Sequence, residues 1–508
     1  MIMKRILASA CLALLAITMA ATAGAEKTVT VNDPAIPGVF DQPSAVAVGG
    51  GLVHVAYIGA ASTAGPFLLF YAGIDGSANF TDLSLSRTTP GFLVTPPTAI
   101  DNTSPGNDAY VDARHPQILV RSSNEVAIFF QAKAVSSPDP VYALYMATLT
   151  LQNGAVVKQS VRLVTGLSGL TEDVSFAINT SDGTARIAYA GRAGITGDFN
   201  VYYARVSLDT AAVTGSPGTP LLLSSVPGSS GSRPLPSLQL DDSKRAHVAW
   251  AANTDSATAN GVYYALVKET NGVDTVAIAA TEILGRSKKW GFPILLVSST
   301  SSIIIMAIDE SQPEIAGEIG LVNINPENAD QDGSPVEVRT DTDFLRTPPG
   351  EAILPTNFNL FRPEAFLDSL SQIHITGYGT GGTRSTYYGF RLTGAWPYVQ
   401  FQKIPVPVGL GSSEYPVSLT GDYTRSGLAF LTGGKVIIFW SGEVSGTGNR
   451  NLDVTGLPAA SAIETNESGC SIVSVPGGEK TVRIPDILLL ALPLVLLWIR
   501  RARKANNR

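Results

Sequence analysis

The sequence predicts an all-β fold, a seven-bladed β-propeller, framed by an N-terminal export signal and a short C-terminal membrane segment. Three observations predict it. Charged residues make up only 15% of the 508, while Gly (49) and Pro (32) are abundant, which suits short strands and many turns. A hairpin motif of fixed internal spacing recurs seven times. No segment between the two ends carries a helical period.

The seven copies are "PSAVAVGGGLVHVAY", "PQILVRSSNEVAIFF", "SFAINTSDGTARIAY", "PSLQLDDSKRAHVAW", "PILLVSSTSSIIIMA", "PEAFLDSLSQIHITG" and "PVSLTGDYTRSGLAF". They start at Pro43, Pro116, Ser175, Pro236, Pro293, Pro363 and Pro416. Fourteen positions on stand Tyr57, Phe130, Tyr189, Trp250, Ala307, Gly377 and Phe430. The intervals between starts vary (73, 59, 61, 57, 70 and 53 residues), so the hairpin is constant and the insertions fall in loops. A proline opens most copies, as the first residue of a strand tolerates.

Most copies continue into a third strand, such as "VYYARV" or "VYYALV", and then a fourth, such as "TPLLLSS". Strands like "SIIIMA" alternate little, which fits a sheet buried on both faces. The propeller is expected over residues 26–440, with "KTVTVN" (27–32) completing the last sheet after "KVIIFW" (435–440). Six or eight blades are the alternatives.

The ends have their own chemistry. Residues 1–25 combine Lys4 and Arg5 with an apolar stretch and small residues, a secretory signal cut between Ala25 and Glu26. Residues 441–483 read as a stalk. Residues 484–499 read as a membrane helix, whose unbroken apolar run from 487 is 13 residues, short against the roughly 17–25 of a comfortable crossing. Arg500, Arg501, Arg503 and Lys504 follow, placing 500–508 in the cytoplasm and the rest outside.

The whole chain carries 35 − 42 = −7. Lys4, Arg5, Arg500, Arg501, Arg503, Lys504 and Arg508 lie outside residues 26–499, so the exported part carries 28 − 42 = −14. That balance argues against a nucleic-acid partner.

The exported part holds one cysteine, Cys470, so it has no intramolecular disulfide and must rest on its core. Gly469-Cys470, the short helix and the basic cluster together resemble the cysteine-bearing C-terminal sorting tags of Gram-negative bacteria, of the JDVT-CTERM and MYXO-CTERM kind. The resemblance covers about the last 40 residues, with a longer spacer after the cysteine than such tags carry. It implies an envelope or surface protein whose helix is removed by an intramembrane protease, with Gly469-Cys470 as the processing or attachment point.

In a propeller the residues just before each inner strand gather at a central opening. Asp41, Arg114, His115, Asp173, Arg233, Arg362, Glu414 and Tyr415 are therefore the candidate ligand-binding set, and the three arginines could clamp a carboxylate. The hairpins, with "VYYARV" and "RAHVAW", resemble sialidase-type exported propellers over residues 40–440, and Arg362-Pro363 is similar to the arginine–proline opening of sialidases. The Asp-box S-x-D-x-G-x-x-W is absent, because "SLDTAAVT" lacks its glycine and tryptophan, and no tyrosine–glutamate nucleophile pair can be placed. No catalytic residue is assigned.

Asn328, Asp330 and Asp332 alternate before Gly333, as at the start of a calcium loop, though Arg339 stands where an EF-hand needs its last ligand. Calcium is the one cofactor this suggests. His54, His247 and His374 fall within second strands and read as sheet residues. The favoured expectation is an exported, anchored binding protein for an extracellular glycan or protein. The alternative is an extracellular glycosidase or lyase working from the same opening.

Overall fold

The computed structural model describes most of residues 28–458. Residues 1–27, 459–508 and several internal segments, the longest being 346–358 and 404–425, lie outside that description. The described strands run β1 (Val29–Thr30), β2 (Val39–Ala47), β3 (Leu52–Ala60), β4 (Leu68–Asp75), β5 (Leu93–Ala99), β6 (Tyr110–Ser122), β7 (Glu125–Ala134), β8 (Tyr142–Gln152) and β9 (Ala155–Leu163). They continue with β10 (Ser175–Ser181), β11 (Thr184–Arg192), β12 (Phe199–Ser207), β13 (Leu221–Val226), β14 (Ser237–Leu240), β15 (Ala246–Ala252), β16 (Gly261–Thr270), β17 (Val273–Leu284), β18 (Trp290–Ser299) and β19 (Ser302–Asp309). The last are β20 (Ile319–Asn325), β21 (Glu337–Leu345), β22 (Asn359–Leu367), β23 (Ile373–Thr380), β24 (Ser385–Arg391), β25 (Gln400–Lys403), β26 (Gly427–Leu431), β27 (Lys435–Glu443) and β28 (Arg450–Pro458).

Five sheets are simple four-stranded meanders, from β6–β9 to β22–β25. A larger sheet joins two more, β26-β27-β28 with β1 and β2-β3-β4-β5, through one parallel bridge between Val39 and Arg450. The described residues are therefore all-β, with six four-stranded meanders and a seventh sheet in which β1 joins the meander β26-β27-β28. Each meander's first strand adjoins the next one's, in the order β2, β6, β10, β14, β18, β22, β26 and back to β2. This radial, closed order is that of a β-propeller.

Second strands such as β7 are buried on both faces, and alternate residues of one strand serve opposite neighbours. In β7, Val126, Ile128 and Phe130 pack with Ala56, Ile58 and Tyr71 of the meander before it, while Ala127 and Phe129 pack with Ile187 and Tyr189 of the meander after it. That is why these strands read as continuous apolar runs. Tyr57, Phe130, Tyr189, Trp250 and Ala307 all lie in the cluster shared with the preceding meander.

The fourteen-residue spacing has a mechanical cause. The first strand carries a bulge in which Gln42-Pro43 sits opposite Tyr57, His115-Pro116 opposite Phe130, Phe292-Pro293 opposite Ala307 and Arg362-Pro363 opposite Gly377. Gln42, His115 and Phe292 have φ of 54°, 50° and 48°. Non-glycine residues seldom adopt that left-handed conformation, least of all before proline, so the bulge stores backbone strain that the surrounding packing holds in place.

The seventh copy is corrected by the structure. Its first strand is β26 and its second is β27, with Gly427 opposite Phe439. The hairpin is "SGLAFLTGGKVIIFW", and Ser426 to Trp440 keeps the fourteen-residue offset. Pro416 drew the earlier phase because proline opens five of the six other copies. "KVIIFW" is thus a second strand, and the third is β28, in the segment expected to be stalk. The compact unit ends at Pro458, not at residue 440.

β1 closes the ring as expected from 27–32, but against β28. Thr30 pairs with Asp453 and Val29 with Val454, Val31 N–H donates to the Leu452 carbonyl at 2.8 Å, and Asn32 Nδ2 donates to Asn451 Oδ1 at 3.1 Å. Among the described residues no helix is long and apolar enough to cross a membrane. The segment 484–499, the signal 1–25 and Gly469-Cys470 all lie outside the described residues.

Candidate functional site: the central cavity

A first strand that faces the ring axis is an edge strand, with N–H groups that need acceptors. Side chains of the preceding first strand supply several. Ser44 Oγ accepts Ile118 N–H at 3.2 Å, Ser237 Oγ accepts Leu295 N–H at 3.0 Å, Gln239 Oε1 accepts Val297 N–H at 3.3 Å, and Glu364 Oε2 accepts Leu428 N–H at 3.0 Å. At the level of the bulges, Gln42 Oε1 accepts His115 N–H at 2.6 Å. These bonds stitch neighbouring meanders together around the axis.

The first strands line a half-open cavity of about 320 Å³. Every one of the seven contributes, with Ser44 from β2, Gln117 from β6, Ile178 from β10 and Gln239 from β14 on one part of the wall. Phe292 from β18, Glu364 and Phe366 from β22, and Leu428 from β26 make the other part. The volume is near the lower end of the roughly 300–1,000 Å³ of small-molecule sites. The wall mixes aromatic, aliphatic, amide and hydroxyl groups with one carboxylate among its described residues. Phe366 is 41% exposed, large for an aromatic in such a ring. It stacks on Phe430 at 5.2 Å and 15°, and Phe430 lies against His374 at 5.2 Å.

The candidate residues at the strand openings divide. Asp41 is buried and bonded to Arg450 Nη1 at 2.7 Å. Arg114 lies with its guanidinium 3.3 Å over the Tyr142 ring and donates from Nε to Gln131 Oε1 at 3.0 Å. His115 is brought to Gln42 of the neighbouring strand. None of Asp41, Arg114 and His115 is in the cavity wall. Asp173, Arg233, Glu414, Tyr415, Asn328, Asp330 and Asp332 lie outside the described residues. Arg362 sits in the β22 bulge, with its side chain outside the description. Among the described residues no group of three or more carboxylate, histidine or cysteine side chains could hold a metal.

Beside Arg114, Asp112 Oδ2 accepts both Lys133 Nζ at 2.6 Å and the Tyr142 hydroxyl at 2.5 Å. Burial pushes the Asp112 carboxyl up, but these two donors outweigh it and hold it below the ordinary carboxylate range. Burial and the Asp112 hydrogen bond push the Tyr142 phenol up to about 12, so it stays protonated as a donor. The group braces β6, which bulges twice within a few residues and has φ of 59° at Asp112.

The histidines behave as sheet residues. His54 Nδ1 and His247 Nδ1 lie 2.6 and 2.7 Å from the hydroxyls of Tyr71 and Tyr264, and His247 Nε2 lies 3.3 Å from Asp241. Arg186 occupies the same place in its hairpin, where it meets Glu269 at 3.0 Å. Each sits eleven positions after its hairpin start, and Tyr71, Tyr203 and Tyr264 follow seventeen positions later. The repeated tyrosine is thus the partner of a repeated buried polar residue.

Reading the sequence for residues ahead of each strand missed Glu364 and Phe366. The signal was available one position later: Glu364 follows Pro363 as Ser44 follows Pro43 and Ser237 follows Pro236.

No family model and no curated protein matches the chain. Among solved structures it is similar to a protein of unknown function from Dyadobacter fermentans DSM 18053, at 10% identity and a TM-score of 0.44, over 85% of this chain and 98% of that one. It is similar to the α-L-arabinanase of Penicillium chrysogenum, complexed with arabinobiose, at 12% identity and a TM-score of 0.39, over 68% and 93%. A sialidase mutant from Streptococcus pneumoniae gives 10% identity and a TM-score of 0.36, over 84% and 70%. These likenesses are weak and concern outline only.

Proposed function

We propose that the protein is a seven-bladed β-propeller directed at a glycan, which it holds in the central cavity. The observation that carries this reading is the cavity wall, to which all seven first strands contribute, with Phe292 and Phe366 beside amides, hydroxyls and the Glu364 carboxylate. Aromatic faces accept the C–H face of a sugar, and the polar groups match its hydroxyls. Export by residues 1–25, a stalk after Pro458, and anchoring or processing at Gly469-Cys470 and residues 484–508 complete the proposal: a ligand-binding disc held outside a Gram-negative cell.

A second activity rests on Glu364. A carboxylate in the wall could serve a glycosidase or lyase as acid or base, but a retaining glycosidase needs a second carboxyl about 5 Å away. Among the described residues the wall supplies Glu364, and the other candidate carboxylates, Asp173 and Glu414, lie outside them.

The test is a panel of neutral and acidic oligosaccharides, scored for binding by calorimetry and for cleavage by product release. Gln117→Trp, which fills the cavity, is expected to abolish whichever signal appears. Binding undiminished in Gln117→Trp would move the ligand elsewhere, and product release that Glu364→Gln eliminates would put the enzyme first. For the tail, Cys470→Ala is expected to release or mislocalise the protein, and unchanged fractionation would end the sorting-tag reading.

A further inference from the structure

We infer that the central cavity recognises the end of a glycan chain, taking in its last sugar residues with Phe366 as the stacking platform, rather than a stretch from the middle of a chain. This rests on the glycan reading above and adds which part of the glycan is bound.

Three observations converge. The first is the shape of the wall. A polymer lies across a groove because a groove is open along the surface at both ends. This cavity has a ring for a wall. Its lining residues come from all seven first strands. Those strands follow one another in closed order, from β2 through β26 and back to β2. Neighbours are also tied directly, Ser44 on β2 to Ile118 on β6, Ser237 on β14 to Leu295 on β18, and Glu364 on β22 to Leu428 on β26. A chain lying across the axis has to part strands that these bonds hold together. A chain entering along the axis parts nothing, and its end arrives first.

The second is size. The cavity holds about 320 Å³. That is near the lower end of small-molecule sites, with room for roughly one or two sugar residues. The wall is short as well. On β18 its lining runs from Phe292 to Leu295, and on β22 from Glu364 to Phe366. Either stretch is at most about 10 Å of strand. Sugar units beyond that length leave the wall behind and add little to binding.

The third is the platform. Phe366 lies in the wall and is 41% exposed. Its orientation is fixed from behind: Phe430 stacks on it, His374 lies against Phe430, and His374 Nε2 sits 3.2 Å from Asp368 Oδ2. A preorganised aromatic plane needs no reordering when a sugar stacks on it, so the contact is realised nearly in full. A terminal residue also carries a hydroxyl where an internal one carries the next glycosidic bond. Gln117 and Ser237 bring an amide and a hydroxyl to the same wall, the groups that distinguish a free hydroxyl from a substituted one.

The experiment is calorimetry on the full chain with arabino-, xylo-, cello- and galacturono-oligosaccharides, each as a series from the monosaccharide to the hexasaccharide. At least one series is expected to bind. In that series affinity should rise as far as the disaccharide or trisaccharide and then stay within about threefold up to the hexasaccharide. On a soluble parent polymer the stoichiometry should follow the number of chain ends, whatever the chain length. Phe366→Ala should weaken the disaccharide and the hexasaccharide by the same factor, about tenfold, while Phe366→Trp retains both. Affinity that climbs with every added unit, or several proteins along one polymer chain, would overturn the inference while leaving a glycan site. Binding undiminished in Phe366→Ala would overturn it likewise. Failure of every series to bind would remove the glycan reading and this inference with it.

Discussion

Val31→Asp tests ring closure. Val31 is fully buried in the cluster that also holds Val29, Phe439, Leu452 and Val454. Docking the β1 segment buries Val29 and Val31, worth about 2 kcal/mol each, and makes the Thr30–Asp453 and Asn32–Asn451 side-chain hydrogen bonds, worth about 1 kcal/mol each. The total is about 6 kcal/mol. Keeping an unpaired carboxylate at position 31 costs several kcal/mol, so the segment is expected to peel away instead. The assay is amide hydrogen exchange. Leu452 N–H donates to Asn32 Oδ1 at 2.7 Å, so its protection reports the docked segment directly. In Val31→Asp that protection should fall by a factor of about 10³ or more, while the β15–β16 pairing between Trp250 and Tyr263 keeps its own. Val31→Ile serves as the control. Unchanged protection at Leu452 in Val31→Asp would refute the view that these residues close the ring.

Three further outcomes are expected. Burial holds His54 near a pKa of about 4 against an ordinary 6.5, so the unfolded chain binds the proton first as pH falls; stability attributable to His54 is full above pH 6.5 and declines by about 3 kcal/mol as pH drops to 4, a slope that His54→Gln should remove in pH-dependent denaturant melts. Asp453 has the opposite sign, since burial raises its carboxyl from 3.8 to about 7: the folded chain keeps a proton that the unfolded chain releases, stability falls by about 4 kcal/mol as pH rises from 4 to 7, and Asp453→Asn should be the more stable protein at pH 8, with equal or lower stability there counting against the assignment. Trp250→Ala removes a fully buried side chain shared between two meanders and should cost about 3–5 kcal/mol in urea unfolding, whereas a loss below about 1 kcal/mol would mean that the interface is not packed as described.

The repeat was legible because its spacing records a mechanical constraint. A strand bulge at Pro43, Pro116, Pro293 or Pro363 fixes which residue of the second strand lies opposite, and fourteen positions is the path around the hairpin. Proline itself was the misleading part. It marks the bulge in four meanders but not at β26, where Pro416 shifted the seventh copy by ten residues and hid β28. The placing of His54 and His247 within the sheets was also legible from their position in the second strand. The cavity wall was not. Side chains alternate between faces, so Arg114 and Gln117 on one strand have different fates: bulges at 112–113 and 115–116 turn Arg114 onto Tyr142, and Gln117 reaches the axis. Such a change of direction depends on backbone conformation at Asp112 and His115, which neither residue type announces.

The most direct measurement is a crystal structure of the protein with the oligosaccharide that binds most tightly. A sugar ring stacked on Phe366 within hydrogen-bonding reach of Glu364, encircled by the seven first strands, is the expected result. Sugar density on an outer face, or sheets arranged as an open row with no central cavity, would contradict it.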